Sequence, residues 1–370
     1  MKAEEKLALI KINAFTYLRA DWLERLLEIF GSGEEILKQN PKTLSEEGKI
    51  SLETAEYFLK SALGLDAEQE IENVAKVGGH IYIKGEEGYP QEFLDIKEPP
   101  LVIYVRGDLN TTLAPTVAIV GTRKITPYGR RATAKIAGDL ADAGVIIVSG
   151  LARGVDTAAH AEAVKRKKPT WALIGTGIGR CYPAENKELA LGIIENGGAI
   201  ISEYPFFTAP LAQHFPRRNR LIAALSRAAL IVEGEVKSGA LITAKMALEQ
   251  GLDVFAVPGP IDSPTSGGPN KLIKEGAGIC LDARDIIDAL PINIKSNLET
   301  KEIYKEKEEP LDLSPEEIKI MNAIGSGESS IDELSVKLNM DVPSLSTILF
   351  SLEISGNLRC EDGKYSKAKI

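Results

Sequence analysis

The sequence predicts an α/β protein in which a doubly wound, Rossmann-like parallel sheet lies between a helical module and a small helix-and-hairpin domain. Three patterns predict it. Residues 114–290 alternate short β-branched runs with segments of helical length, residues 1–75 show helical spacing alone, and residues 313–370 have the pattern of three helices and a hairpin. Parallel strands buried on both faces need crossover helices between them, which explains the alternation.

Size and composition are those of an ordinary globular protein. The chain has 370 residues, 44% hydrophobic and 26% charged, which suits two or three domains. Its longest apolar runs are strand-sized, and Met1–Leu7 has mixed charge rather than a basic head before an apolar stretch, so we expect no membrane span and no secretory signal. Cys181, Cys280 and Cys360 are widely spaced without a CxxC pattern, which argues against a disulfide framework and a zinc site. We therefore expect a cytoplasmic protein.

The first predicted element is the helical module of residues 1–75. In its segment FGSGEE, Phe30 to Glu35, Ser32 can cap the helix that follows. The segment resembles helix-hairpin-helix or SAM-like modules, which often contact the DNA backbone through amides between helices. Residues 7–63 are not basic, so packing or protein contact is favoured over DNA, and both interpretations stay open. Residues 76–113 are expected to be a connecting segment.

The central domain, residues 114–290, is predicted to hold the sheet. Strands are expected at 117–121, 145–150, 170–175, 199–203, 229–233, 254–258 and 278–281, and helices at 127–143, 155–166, 219–226 and 238–250. Open parallel sheets bind their ligands at the carboxyl ends of the strands. The turns that follow these strands are therefore the candidate site.

The tail is predicted to be a winged helix. Residues 291–312 are polar and rich in Lys and Glu, as in a solvated linker. Ser314-Pro315 can begin a helix, and residues 357–365 suit a hairpin with Asp362-Gly363 at its turn. The candidate recognition helix, 342–355, has no Lys or Arg, and residues 313–370 carry six basic against nine acidic side chains. We expect protein contact or autoregulatory packing rather than duplex binding.

Charge is distributed unevenly along the chain. The net charge is −9, but residues 115–245 contain 18 Lys or Arg and 10 Asp or Glu, a surplus of 8 that leaves the remaining residues at −17. A basic surface on the central domain is one interpretation, and a scattered set of solvated charges is the other.

Two turns combine small residues, cations and a helix start, which together favour anion binding. They are Gly121-Thr122-Arg123-Lys124 after the first strand and Ser149 to Gly154 (SGLARG, with Gly150 and Arg153) after the second. The first is not a P-loop, because no Gly-Lys-Ser or Gly-Lys-Thr follows it at the required spacing. Ser149, Asp156 and His160 suggest a hydrolase triad, but GxSxG is missing and the last two are placed like a surface pair on one helix. No catalytic residue is predicted.

The densest cationic segment is His214 to Arg220. Its Arg217, Arg218 and Arg220 are costly to bury and match phosphate oxygens, Phe215 offers a stacking platform for an unpaired base, and Asn219 lies among them. Lys237-Ser238-Gly239 supplies another anion site at the same end of the sheet. A solvated cationic face is the alternative. Gly175 to Gly179 (GTGIG) lacks the final glycine of a dinucleotide fingerprint, and no metal or cofactor is expected.

The segments VAIVGTRKITPYGRR, VSGLARGVDTAAH, CYPAEN, FPRRNRLIAALS and GALITAKMALEQG resemble, in order and spacing, the DNA-processing protein A family (DprA, also called Smf). This resemblance covers nearly all of residues 115–290. It implies a cytoplasmic homodimer that binds single-stranded DNA without base specificity and helps load RecA recombinase in natural transformation and recombination, displacing or bypassing single-strand-binding protein. It also implies that Arg123 contacts DNA, and that Arg153, Arg218, Arg220 and Lys237 belong to a basic pocket.

The alternative function is enzymatic. The same Rossmann subgroup resembles the nucleotide-sugar phosphoribohydrolases, whose active site carries PGGxGTxxE. At the corresponding strand this chain has EGEVKSG, residues 233–239. We expect a binding protein rather than an enzyme.

Overall fold

A computed structural model describes residues 1–17, 19–109, 114–291, 298, 314–324, 328–354, 357–361 and 363–367. The chain forms two compact units, Met1–Tyr304 and Lys305–Ile370. Within the described ranges, no helix has both the length and the apolar character needed to cross a membrane.

The first unit begins with a helical module. Its helices are α1 (Ala3–Ile12), α2 (Ala20–Phe30), α3 (Gly33–Leu37), α4 (Pro41–Gly48), α5 (Leu52–Gly64) and α6 (Ala67–Lys76). Leu26, Ile36 and Phe58 are fully buried in its core. The predicted cap is confirmed, since Ser32 Oγ accepts a hydrogen bond from Glu35 N at 3.2 Å.

A mixed nine-stranded sheet follows in the described part of this unit, and it confirms the predicted α/β fold. Its strands are β1 (Gly79–Ile83), β2 (Val102–Gly107), β3 (Thr116–Val120), β4 (Ile146–Ser149), β5 (Thr170–Leu173), β6 (Ala199–Ser202), β7 (Ala228–Ile231), β8 (Asp253–Ala256) and β9 (Gly278–Ile279), in the order β1-β2-β6-β5-β4-β3-β7-β8-β9. Strands β3 to β9 are parallel and match the seven predicted strands within two residues at each end.

The segment expected to be a connection contributes β1 and β2. Strand β2 pairs antiparallel with β6, Tyr104 opposite Ser202, and β1 pairs antiparallel with β2. The run Val102–Val105 is fully buried and apolar, which gives the backbone of β2 a core to pack against while the edge of β6 satisfies its hydrogen bonds. The extents predicted for the individual domains stay predictions.

Helices cover both faces of the sheet. They are α7 (Pro127–Asp142), α8 (Val155–Lys165), α9 (Lys187–Glu195), α10 (His214–Ala224), α11 (Gly239–Glu249), α12 (Gly267–Lys274) and α13 (Ala283–Ala289). Successive residues of β3 belong to different cores, Val117 and Ile119 to one and Ala118 and Val120 to the other. Strand order reverses between β3 and β7, so the carboxyl ends of these two strands form the switch point at which such sheets bind ligands.

The second unit is the predicted winged helix. It contains α14 (Pro315–Ile324), β10 (Glu328–Ser330), α15 (Ile331–Leu338), α16 (Val342–Ile354), β11 (Leu358–Glu361) and β12 (Lys364–Lys367), with sheet order β10-β12-β11. Ile320, Leu334, Leu345 and Leu349 form its core. Apart from positions 291 and 298, the predicted linker lies outside the described residues, as does Asp362 of the predicted turn.

Candidate nucleic-acid interface

The turns after β3, β4 and β7 are joined by backbone hydrogen bonds. Thr122 O accepts from Val155 N at 3.2 Å, and Thr122 N donates to Glu233 O at 2.7 Å. Gly154 has φ +83°, and a Cβ there would overlap Thr122 O, so only glycine allows the second turn to approach the first this closely. The structure thereby brings Gly121–Lys124 and Ser149–Gly154 together at the switch point.

A buried carboxylate fixes the start of α7. Glu233, which is almost fully buried, accepts hydrogen bonds from Thr126 N at 2.9 Å, from Thr126 Oγ1 at 2.5 Å and from Thr265 Oγ1 at 3.3 Å. These neutral donors stabilise the carboxylate by hydrogen bonding, and the side chains of Arg123 and Lys124 stay exposed.

Arg123 lies over an aromatic pair. Its guanidinium carbon is 5.2 Å from the centroid of the Phe215 ring. The exposed Tyr182 also lies beside Phe215, with ring centroids 5.6 Å apart and planes inclined by 40°. Phe215 packs on Gly175, where a Cβ would come within 3.0 Å of the ring. We call Arg123, Phe215 and Tyr182 the stacking cluster; Tyr182 was not among the predicted site residues, although it belongs to the CYPAEN segment.

Arg218 does not lie on the surface as expected. Only 4% of the residue is exposed, and its Nη1 donates to Gly150 O at 2.8 Å and to Leu173 O. Asp156 accepts from Gly150 N at 3.1 Å and is also buried. Burial lowers the pKa of Arg218 to about 10, although Asp156 opposes this; burial raises the pKa of Asp156 to about 6, although Arg218 opposes that.

Arg220 is buried as well, with 8% exposed. It forms a bidentate ion pair with Glu203, at 2.8 and 2.7 Å, and its Nε donates to Glu98 O at 2.9 Å. Arg217 is half-buried and donates to Thr16 O. The expectation that these arginines are too costly to bury is therefore wrong for Arg218 and Arg220, because carbonyl and carboxylate partners satisfy their donors. Their contact with DNA stays a prediction.

The remaining predicted residues lie in the turns after β4 and β7 or on α10. Arg153 is exposed and pairs with Glu185, its Nη2 3.1 Å from Oε2. Lys237 is exposed, Ser238 precedes α11 without capping it through its side chain, and Asn219 Nδ2 donates to Gly239 O at 3.5 Å. The site therefore presents exposed cations from three turns around the stacking cluster.

The expected surface pair of Asp156 and His160 is buried. His160 Nδ1 lies 2.8 Å from Thr170 Oγ1, and burial, followed by the charge of Arg218, lowers its pKa to about 3. The hydroxyl of Ser149 donates to Ile119 O at 2.6 Å. Over the described ranges, no group of His, Cys, Asp and Glu could hold a metal ion.

Comparisons with known proteins identify the family. Residues 80–291 match the family model of DNA recombination-mediator protein A, and residues 305–364 match that of the DprA winged helix domain. Protein Smf of Escherichia coli is 34% identical over 290 residues, which cover 78% of each chain. The chain belongs to the DNA recombination-mediator protein A family.

Two solved structures of this family resemble the chain. DNA processing protein A from Streptococcus pneumoniae has a TM-score of 0.64 and 29% identity, over 78% of this chain and 99% of that one. The protein from Helicobacter pylori, solved to describe its single-stranded DNA binding mode, has a TM-score of 0.51 and 33% identity, over 57% of this chain and 94% of that one. All sixteen predicted site residues lie in the range matched by the first family model, and no finding tests their individual roles.

Proposed function

We propose that this chain binds single-stranded DNA without base specificity, across the carboxyl ends of β3, β4 and β7 and the start of α10. The observation that carries the proposal is the stacking cluster, in which a cation lies over Phe215 while Tyr182 lies beside it. Every base has a π-face, so such a platform is sequence-tolerant, and cations around it can hold the phosphates. The binding mode described for the Helicobacter pylori relative supports the same ligand.

The charges around the cluster supply the phosphate contacts. Arg123, Lys124, Arg153 and Lys237 are exposed on adjoining turns. In this proposal Arg218 acts differently, since it supports the Gly150 turn from beneath while the exposed cations contact the strand. Gly121 and Gly154 allow these turns to pack closely on one another, which holds the exposed cations of both turns near the same ligand.

We further propose that the chain acts as a recombination mediator, helping to load RecA recombinase on incoming DNA during natural transformation and recombination. The family membership supports this role. A direct test adds the full-length protein to RecA and oligonucleotide coated with single-strand-binding protein, and follows DNA-dependent ATP hydrolysis by RecA. The expected result is a shorter lag than with RecA alone; an unchanged lag would contradict the loading role.

We also propose that the chain forms a homodimer in the cytoplasm. The edge of the sheet at β9 is its proposed contact surface. Strand β9 is the last in the sheet order, Ile279 is 51% exposed on it, and Leu281, two residues on, is 69% exposed. Exposed apolar side chains beside an open strand edge suit self-association. Sedimentation of the wild type and of Leu281→Glu tests this proposal, which expects a dimer and a monomer respectively.

We propose that the protein is not an enzyme. The candidate triad of Ser149, Asp156 and His160 is unsuited to hydrolysis. The Ser149 hydroxyl donates its hydrogen bond to a backbone carbonyl oxygen, and His160 is buried against Thr170. The alternative, a nucleotide phosphoribohydrolase, is tested with nucleoside monophosphates, and release of free base at a rate above the buffer blank would favour it.

Fluorescence anisotropy with labelled oligo-dT tests DNA binding itself. With about four to six phosphate contacts at about −0.7 each, log K should fall with log salt with a slope of about −3 to −4. Arg123→Ala should weaken binding and make this salt slope shallower by roughly the contribution of one phosphate contact. An affinity that is flat in salt, or unaffected by Arg123→Ala, would overturn the assignment.

A further inference from the structure

The helical module contacts the helix that begins the candidate DNA site. Arg217 donates to Thr16 O, and Gln213 Nε2 donates to Tyr17 Oη. Thr16 and Tyr17 follow α1, while Gln213 immediately precedes α10. Phe215 of the stacking cluster lies only two residues beyond Gln213, so the start of α10 is flanked by the cluster on one side and by the module on another.

At this contact the module presents a pair of half-exposed aromatic rings. Tyr17, from the segment after α1, and Tyr57, on α5, are each 52% exposed, with ring centroids 6.5 Å apart and planes inclined by 55°. Phe15 is buried beneath them, 6.0 Å from Tyr17 and 5.7 Å from Tyr57. The buried ring fixes both tyrosines in place, which leaves ring surface open to solvent without leaving the side chains loose.

We propose that Tyr17 and Tyr57 form a second base-stacking subsite, over which an unpaired strand continues after it leaves the stacking cluster. This inference rests on the proposed function. It assigns the helical module a part in DNA binding. The module's lack of positive charge does not oppose this role, because base stacking on a tyrosine face needs no cation.

Continuity identifies the occupant. The Tyr57 ring lies beside that of Tyr17, and the Tyr17 hydroxyl accepts from Gln213. Gln213 lies two residues before Phe215, the ring beneath Arg123. Residues 7–63 are not basic. The tyrosine pair therefore lacks the cations that bind the phosphates of a duplex, in which the base faces are stacked and inaccessible. Splayed bases of a single strand are the ligand that such a surface fits.

The length of the oligonucleotide distinguishes binding at the stacking cluster from binding at the second subsite. A short oligo-dT of about six nucleotides, sufficient for one small binding groove, would occupy the stacking cluster alone, while an oligo-dT of about 20 nucleotides would reach both. The full-length double variant Tyr17→Ala/Tyr57→Ala should bind the short strand like the wild type and the long strand roughly tenfold more weakly, as expected for the loss of about one stacked base. The matched control is Leu63→Ala, which removes another exposed apolar side chain of α5 (60% exposed) and should change neither affinity.

A purely structural role of the tyrosines predicts other results. If the hydroxyl of Tyr17 only holds α10 in position, Tyr17→Phe should weaken binding of both lengths, whereas stacking predicts that this variant binds like the wild type. Equal losses on short and long strands, or none on either, would overturn the subsite.

Photocrosslinking tests the wild type without any substitution. Oligo-dT of about 20 nucleotides carrying 5-iodouracil at a single, varied position should form adducts with Tyr17 or Tyr57 from some positions and with Phe215 or Tyr182 from others. Adducts confined to the stacking cluster would overturn the second subsite and leave the proposed function standing. Failure of the wild type to bind even the short strand would instead overturn both.

Discussion

Arg218 and Asp156 hold the two sides of one peptide segment, since Arg218 Nη1 donates to Gly150 O while Asp156 Oδ2 accepts from Gly150 N, at 2.8 and 3.1 Å. A Cβ at position 150 would collide with both side chains. Two buried opposite charges therefore fix the turn after β4 without forming an exposed binding surface. We expect their role in DNA binding to be positional, as support for the turn that carries Arg153.

Arg218→Ala should destabilise the fold strongly. It removes the donors to Gly150 O and Leu173 O and leaves the Asp156 carboxylate buried without its compensating charge, a loss of about 3–5 kcal/mol in unfolding free energy. Arg123→Ala, an exposed side chain, should change that free energy by less than about 0.5 kcal/mol. Urea denaturation of the two variants measures the difference. Equal stabilities would contradict the supporting role of Arg218 and would indicate that it behaves like an exposed cation.

Glu185→Gln should tighten DNA binding. In the DNA-free protein Glu185 pairs with Arg153, and that hydrogen-bonded partner lowers the pKa of the carboxyl. A phosphate must displace this carboxylate before it can use Arg153, although exposed pairs are weak. We expect oligo-dT affinity to rise about two- to fivefold at low salt, with the gain shrinking as salt screens the pair.

Glu188→Gln provides the control for this experiment, because it removes the same charge from an exposed position on α9. If both substitutions tighten binding equally, the effect belongs to net charge alone, and the competition between Glu185 and DNA for Arg153 is absent.

His160 should make the protein sensitive to acid. The Thr170 hydroxyl donates its proton to Ile147 O at 2.6 Å and must accept from His160 Nδ1–H, so the proton of the neutral ring lies on Nδ1. Its pKa falls from 6.5 to about 3 on folding, through burial and then the charge of Arg218. A depressed pKa contributes stability that is present above pH 6.5 and is lost as pH falls towards 3, up to about 5 kcal/mol in total.

Unfolding free energies of the wild type and of His160→Asn between pH 7 and pH 4 measure this contribution. The difference between the two proteins should narrow as the pH falls, because the unfolded wild-type chain binds a proton at His160 below about pH 6.5 while the folded ring, with its pKa of about 3, stays neutral. Asp156, whose raised pKa favours the fold on acidification, is present in both and cancels. A difference that does not change with pH would contradict the buried neutral state of His160.

Local patterns predicted the parallel strands and the turns at the switch point, because β-branched runs, glycines and helix caps act over a few residues. The burial of Arg218 and Arg220 depends on distant partners. Glu203 and Glu98 reach Arg220 from other elements, and the Gly150 turn comes to Arg218 from 68 residues earlier in the chain. A count of arginines in a segment carries no information about such partners.

Two further features have a sequence signal but depend on contacts between distant segments. Strand β2 has an apolar run, Val102–Val105, within a segment interpreted as a connection. Tyr182 belongs to the CYPAEN segment, yet its approach to Phe215 depends on the packing of that segment against α10, more than 30 residues later in the chain. Proximity of this kind becomes predictable only once strand order is known.

Removal of the winged helix, residues 305–370, should leave binding of oligo-dT within about threefold of the full chain. The removed residues form a compact unit of their own, and α16 carries no Lys or Arg to contact phosphates. Residues 313–370 have six basic against nine acidic side chains, so they repel DNA if they lie near it. The shortened protein should therefore bind slightly more tightly at low salt, where screening is weakest.

Anisotropy titrations at two salt concentrations measure both effects, with circular dichroism and gel filtration to confirm that residues 1–304 stay folded. If the shortened protein is folded but no longer binds, the winged helix is part of the DNA site despite its charge.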